Sequence, residues 1–274
     1  MLDFLPILVL TGAAVGFTAA LLGVGGGFIM VPVMYWVMLG SGLPEDIALL
    51  TAFGTSLFVI IPTVVSSTWR HHKCQAVVWR VSVILGPCGL VGALVGSTLA
   101  ASLPSHVLKT GFGVLVLVIA LRMGIGMRGT SCEDESCPQP PRIRLVILGL
   151  VMGVISGLTG LGGGALMVPA LVLMFHFPMR RAVATSSAAI IFTSIGGIVG
   201  YIVNGIGVAG RLPYSMGYIN LAVWLSLIVL SIPMAQLGAR TAHVVDAKKL
   251  RLLFAVLMVY VGLKMMGAFE GIGL

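Results

Sequence analysis

The chain has 274 residues and a net charge of +8, from sixteen Lys and Arg against eight Asp and Glu. Hydrophobic residues make up 58% and charged residues 9%, with a mean hydropathy of +1.13. That excludes a water-soluble domain and predicts an all-α membrane protein. The basic residues stand in short connections between apolar runs, where they act as topology signals, so the expected partner is a lipid bilayer and not a nucleic acid.

Apolar runs cover roughly residues 5–39, 47–68, 77–102, 107–127, 144–177, 182–204, 216–239 and 249–268, and about 20 helical residues cross a hydrocarbon core of about 30 Å. The first run begins MLDFLPILVL, apolar like a signal peptide but without basic residues before it, and it continues to Gly40. It reads as a retained membrane segment. Near its middle lies GVGGGFIMVP, from Gly23 to Pro32. Cys88 in the third run reads as core packing. The linker GTSCEDESCPQPPR, Gly129 to Arg142, is the one sustained polar stretch, and its Pro and acidic content mark a surface connection. Its Cys132 and Cys137 have no histidines nearby, so neither a zinc site nor a disulfide framework is expected. No cofactor is predicted. In the fifth run the glycine motif returns as GLGGGALMVP, Gly160 to Pro169.

The halves align further: Thr55-Ser56 with Thr185-Ser186, Lys109 with Arg251, and Arg122 with Lys264. The chain therefore reads as a duplication, residues 1–128 and 142–274 joined by a cytoplasmic linker at 129–141. The first and fifth runs, about 35 residues each, are too long for one crossing, and a glycine-broken helical hairpin fits better. Charge supports this. If both runs double back, the inside holds Arg70, Lys73, Arg80, Arg122, Arg128, Arg142, Arg144, Arg180, Arg181, Arg240, Lys248, Lys249 and Arg251. The outside keeps Lys109, Arg211 and Lys264, as the positive-inside rule expects. Two inverted five-helix repeats with both termini outside are predicted.

Irregular backbone at membrane depth is tolerated only against protein or a wet cavity, so two such breaks from opposite faces are expected to meet near the middle. Gly23, Gly25, Gly26 and Gly27, and Gly160, Gly162, Gly163 and Gly164, allow positive φ and close approach. The helix restarting after each break aims free amides and a positive dipole end at it, which suits an anion. The competing reading is tight helix packing through small residues. Thr55, Ser56, Thr185 and Ser186 are candidate hydroxyl donors to an oxyanion, although membrane hydroxyls often bond their own helix's carbonyls. Arg122 and Lys264 are candidate pathway residues, with snorkelling to the interface as the alternative. His106, His176 and His243 fall near run ends and read as interfacial, with a proton relay as the alternative.

All eight carboxylates lie at run ends or in connections, so none is placed to carry a coupling ion. No acid or base stands near the glycine tips, so no enzyme is expected, an intramembrane enzyme being the alternative from a different class.

The duplicated glycine segments, each followed by Ala-x-x-Thr-Ser (Ala52 to Ser56, Ala182 to Ser186) within about 270 mostly apolar residues, resemble the sulfite exporter TauE/SafE family, part of the toluene-sulfonate uptake permease group. The resemblance covers nearly the whole chain. It implies a prokaryotic cytoplasmic-membrane carrier of sulfur-containing anions such as sulfite or organosulfonates, often acting outward. The matching positions are Gly23 to Gly27, Pro32, Thr55, Ser56, Gly160 to Gly164, Pro169, Thr185 and Ser186. The two copies differ at Phe53-Gly54 against Val183-Ala184, which bears on substrate more than on fold. A proton-coupled uptake permease for another small anion is the second reading.

Overall fold

The structure, a computed structural model, describes residues 5–22, 26–125, 140–208, 210, 212–241 and 247–267. Five helices precede the linker: α1 (Leu5–Leu22), α2 (Gly27–Gly40), α3 (Glu45–Lys73), α4 (Trp79–Ser102) and α5 (Ser105–Ile125). Five follow it: α6 (Arg142–Thr159), α7 (Gly164–Phe175), α8 (Met179–Gly205), α9 (Leu221–Thr241) and α10 (Ala247–Met265). Helices α3, α4, α5, α6 and α8 are long and apolar enough to cross a membrane. At about 1.5 Å per residue, α2 and α7 reach only about 21 and 18 Å. Prolines punctuate the chain: Pro44, Pro141 and Pro178 stand in extended conformation just before α3, α6 and α8, where no intrahelical amide is needed. Pro32 and Pro169 instead stand six residues into α2 and α7, so each removes one helical hydrogen bond just beyond a break.

The polarity of the molecule is that of a membrane protein. Leu121, Val229 and Ile147 are more than half exposed, whereas Thr55, Ser56, Thr185 and Ser186 are fully buried. Lipid tails are as apolar as leucine, so burying oily side chains gives little drive for these helices to associate. Close backbone contact and internal hydrogen bonds hold them together instead. Glycines make that contact possible. A Cβ on Gly12 or Gly16 of α1 would lie 2.3 or 2.1 Å from the Leu227 or Ser231 carbonyl oxygen of α9. A Cβ on Gly149 or Gly153 of α6 would lie 2.9 or 2.2 Å from the Leu85 or Gly89 oxygen of α4. Gly12 and Gly16 precede Gly23 by the same spacing at which Gly149 and Gly153 precede Gly160. Exchanging the two halves turns the α4 contacts with α6 and α8 into those of α9 with α1 and α3, while α3 with α8 and α5 with α10 map onto themselves.

Contact order gives the helix directions. Along α3 and α8, Gly54 meets Tyr201 and Leu57 meets Gly197, so these helices run antiparallel. Along α4 and α8, Gly89 meets Thr193 and Ser97 meets Gly200; along α4 and α6, Gly89 meets Gly153 and Ala93 meets Gly157. Both pairs are parallel. Helix α9 is parallel to α3, because the Asn220 amide donates to Thr55 (3.0 Å) and the Trp224 indole to the Phe58 carbonyl (3.2 Å). Helix α1 follows α9 in the same direction. It follows that α6 starts at the end of the bundle where α8 starts, and that the chain through α6 and α7 returns to that end. Helices α1 and α2 do the same from the opposite end.

A feature outside the sequence reading is a small hairpin between α8 and α9, β1 (Ser215–Met216) paired antiparallel with β2 (Ile219–Asn220). It folds inward: the Tyr218 oxygen would lie 2.4 Å from a Cβ on Gly54. Asn220, fully buried, caps α9 through Val223 (3.0 Å) and ties the loop to Pro213 and Ser215. Two-residue strands carry no periodic signal by which a sequence could announce them.

Candidate functional site at the crossing of the helix breaks

The second break is built from three residues with positive φ. Gly160 ends α6 at φ 67°, with its amide 2.9 Å from the Ser156 carbonyl oxygen. Gly162 at φ 75° and Gly163 at φ 77° then turn the chain into α7. A side chain in this left-handed region costs about 1–2 kcal/mol per residue, which is why glycine recurs. In the first break Gly26 holds the matching position before α2, at φ 73°. Gly23 and Gly25 lie outside the described residues.

The first segment meets the second backbone to backbone. A Cβ on Gly27 would lie 2.9 Å from Leu161 Cα and 3.1 Å from the Gly160 oxygen. Side chains from α3 and α8 complete the wall. Ser56 is 2.7 Å from both the Gly160 and Phe53 carbonyl oxygens, Thr193 donates to the Gly162 carbonyl (3.0 Å), and the Tyr201 hydroxyl donates to the Gly157 carbonyl (2.6 Å).

Among the described residues the carbonyls of Gly160, Gly162 and Gly163 thus have donors, but the amides from Leu161 to Gly164 lack acceptors. The amides of Leu166 and Met167 reach the Gly163 oxygen at 3.3 and 3.0 Å. Among the described residues, nothing accepts from the amides of Leu161, Gly162, Gly163 or Gly164. All four residues are buried, and buried N–H groups without partners are rare in folded proteins. Successive free amides at the start of a helix form a positively polarised nest suited to a small anion. Of the glycines singled out in the sequence, Gly162, Gly163 and Gly164 contribute amides to this run.

The predicted hydroxyls serve inside the protein. Thr55 accepts the Asn220 amide at the start of α9 (3.0 Å), and Thr185 accepts the Val78 amide at the start of α4 (3.1 Å). The two contacts correspond under exchange of the halves, each threonine anchoring a helix of the other half. Ser186 donates to the Val183 carbonyl in its own helix (2.9 Å). Replacing Thr55 by valine keeps the shape and removes the acceptor, leaving a buried amide unpaired; a loss of about 1–3 kcal/mol is expected, measured as a lower unfolding midpoint in detergent. Arg122 is exposed in the last turn of α5, away from the crossing. Lys264 lies 4.8 Å from the centre of the Trp36 ring, joining α10 to α2 near the bundle end. That end also holds the Lys109–Glu45 ion pair, with Tyr35 donating to Glu45 (3.1 Å). His176 closes α7 in the left-handed conformation and His106 stands in the first turn of α5; His243, Cys132 and Cys137 lie outside the described residues.

The sequence reading missed Ser156. It is fully buried, its hydroxyl has no hydrogen-bond partner among the described residues, and it borders Gly163. The aligned residue in the first copy is Ala19, so comparing the copies for differences, instead of for matches, was the signal that could have found it.

Ten helices among the described residues, oily on their outer faces with hydroxyls buried among apolar side chains, and two short interrupted segments touching in the interior define a polytopic α-helical membrane protein. The chain belongs to the family described as Sulfite exporter TauE/SafE, which it matches over residues 8–265. It is 30% identical over 263 residues to a probable membrane transporter protein of Methanocaldococcus jannaschii, covering 96% of this chain and 95% of that one. A probable membrane transporter protein of Haemophilus influenzae is 29% identical over 97% of this chain and 99% of its own length, and one of Bacillus subtilis is 28% identical over 97% and 98%. No solved structure matches the chain. The protein is thus a multi-pass member of a membrane transporter family.

Proposed function

We propose that this protein carries a small sulfur-containing anion, sulfite or an organosulfonate, outward across the cytoplasmic membrane of a prokaryote. The substrate is held where the two glycine breaks cross, and access alternates between the two bundle ends. The observation that carries this reading is the run of buried amides, from Leu161 to Gly164, for which the described residues offer no acceptor. The family's description as a sulfite exporter supports the substrate class.

In this reading residues 1–128 and 142–274 are inverted repeats joined by a cytoplasmic linker at 129–141. The antiparallel course of α3 and α8, the third helices of the two halves, supports the inversion. The charges support the sidedness. Arg70, Lys73, Arg80, Arg122, Arg142, Arg144, Arg180 and Arg181 belong to helix ends on the side where α4, α6 and α8 begin, while Lys109 and Lys264 belong to the other side. The first side is then cytoplasmic. The described carboxylates, Glu45 and Asp46, stand in the first turn of α3, so no described acid lies along the path to couple a proton. None is needed for export, because an anion leaving a negative interior gains about 2.3 kcal/mol per charge for each 100 mV.

The test is purified protein in liposomes loaded with labelled sulfite, sulfate, thiosulfate or a short sulfonate. Saturable efflux of sulfite or the sulfonate, accelerated by a negative lumen and indifferent to an imposed pH gradient, is the expected result. Accumulation driven by the pH gradient would establish proton-coupled uptake instead, and no flux of any of these anions would end the proposal.

A further inference from the structure

We infer that Ser156 donates the side-chain hydrogen bond to the bound anion, so that the oxyanion is held asymmetrically, at the second break and not evenly between the two. The inference rests on the transport reading above and deepens it by naming a substrate-binding residue.

The argument begins with competition among hydroxyls. A serine in an apolar helix ordinarily donates to a carbonyl three or four residues back. Ser56, Thr63, Thr159, Ser186, Ser187 and Thr193 each do so. Ser156 does not, although it is 0% exposed and its helix is continuous from Arg142 to Thr159; Thr68, Ser194 and Ser231 are likewise buried without a partner among the described residues, and Ser156 is the one found beside Gly163. Burying a hydroxyl without a partner costs about 1–3 kcal/mol, which a missing acceptor would return on binding.

Position supplies the second step. Ser156 lies one turn before the end of α6, on the side facing the start of α7. A Cβ built on Gly163 would lie 3.4 Å from Ser156 Cβ and 3.8 Å from its Oγ. The unpaired hydroxyl and the four unpaired amides of residues 161–164 therefore border the same turn of backbone. All are donors. An acceptor with several oxygens in one small anion satisfies amides and hydroxyl together, which chemistry favours over a cation or a neutral apolar guest.

Pseudo-symmetry supplies the third. The glycines match between breaks, so backbone donors can be offered twice, but the residue aligned with Ser156 is Ala19 and has no hydroxyl. A side-chain donor exists at this position in one half only.

The experiment compares wild type, Ser156→Ala and Thr159→Val, purified in detergent and in liposomes, with sodium sulfite as the probe. Hydrogen bonds to charged groups contribute about 1.5–3 kcal/mol, so sulfite affinity and transport KM are expected to worsen about ten- to hundredfold in Ser156→Ala. Without anion this variant is expected to be as stable as wild type or more so, since it loses only an unsatisfied group. At a given sulfite concentration its unfolding midpoint rises less than that of the wild type. Thr159→Val, which removes a hydroxyl already bonded to the Ile155 carbonyl (2.7 Å), keeps wild-type affinity. Wild-type sulfite affinity and KM in Ser156→Ala would overturn the inference while leaving transport intact. Absence of sulfite binding and of anion flux in the wild type would overturn the transport reading and this inference with it.

Discussion

Replacing Gly27 by leucine is expected to cut anion flux at least about fivefold while leaving a folded protein. The position is crowded by backbone and not by side chains: even a bare Cβ would lie 2.9 Å from Leu161 Cα and 3.1 Å from the Gly160 oxygen. Neither neighbour can swing aside like a side chain. The start of α2 and the second break must separate, and the turn carrying the free amides moves with them. Overpacking of this kind costs about 1–3 kcal/mol, roughly a fivefold to more than hundredfold change in the population of the joined arrangement. Flux should fall by at least that factor, read as initial rate in liposomes. A monodisperse, thermally stable variant with wild-type flux would remove the crossing from the transport mechanism. Gly163→Leu tests the same site by another force. Its surroundings leave a Cβ contacts of 3.3 Å or more, but φ is +77°, so the penalty there is backbone strain of about 1–2 kcal/mol.

Gly153→Leu is expected to have the largest effect on folding. Helices α4 and α6 are in backbone contact along their length: a Cβ would lie 2.2 Å from the Gly89 oxygen at Gly153, 2.3 Å from the Leu150 oxygen at Gly92, 2.2 Å from the Val154 oxygen at Gly96 and 2.3 Å from the Ala93 oxygen at Gly157. One added side chain forces the pair apart and loosens all of these contacts at once. Because lipid fills any gap between separated helices without penalty to apolar surface, nothing drives them back together. The destabilisation should therefore reach or exceed the upper end of the overpacking range, about 3 kcal/mol. It would be measured as lost monodisperse yield after extraction and a depressed unfolding midpoint. The control is Gly111→Ala in α5, where nothing stands within 4 Å of the added methyl. That change should be neutral, or stabilising by up to about 1 kcal/mol through helix propensity. Equal losses at Gly153 and Gly111 would mean that close packing is not what holds α4 to α6.

Much of the architecture was legible in the residues. The two glycine motifs lie where α1 gives way to α2 and α6 to α7, and the apolar runs correspond to helices with only their ends displaced, because composition alone tells lipid from water. The apolar character that located each helix also hid its neighbours: with Leu121, Ile147 and Val229 facing outward and equally oily residues facing inward, no amphipathic stripe records which side packs against what. Thr55 shows the limit most clearly. Its residue type marks a buried polar role, and the structure gives it the amide of Asn220, a partner 165 positions away.

By itself the sequence determined the environment, the helix order, the recurrence of the glycine motif and the two places where helices stop, since these follow from hydropathy, repeated motifs and the φ values open to glycine. Tertiary structure alone decided that Gly27 lies against Leu161, that the hairpin before α9 folds onto Gly54, and that Ser156 is left without a partner beside Gly163. The physical reason is that contact and hydrogen-bond satisfaction are properties of pairs brought together by folding. A lone serine or glycine in a string carries no record of which distant backbone will take its hydrogen bond or its missing side chain's space.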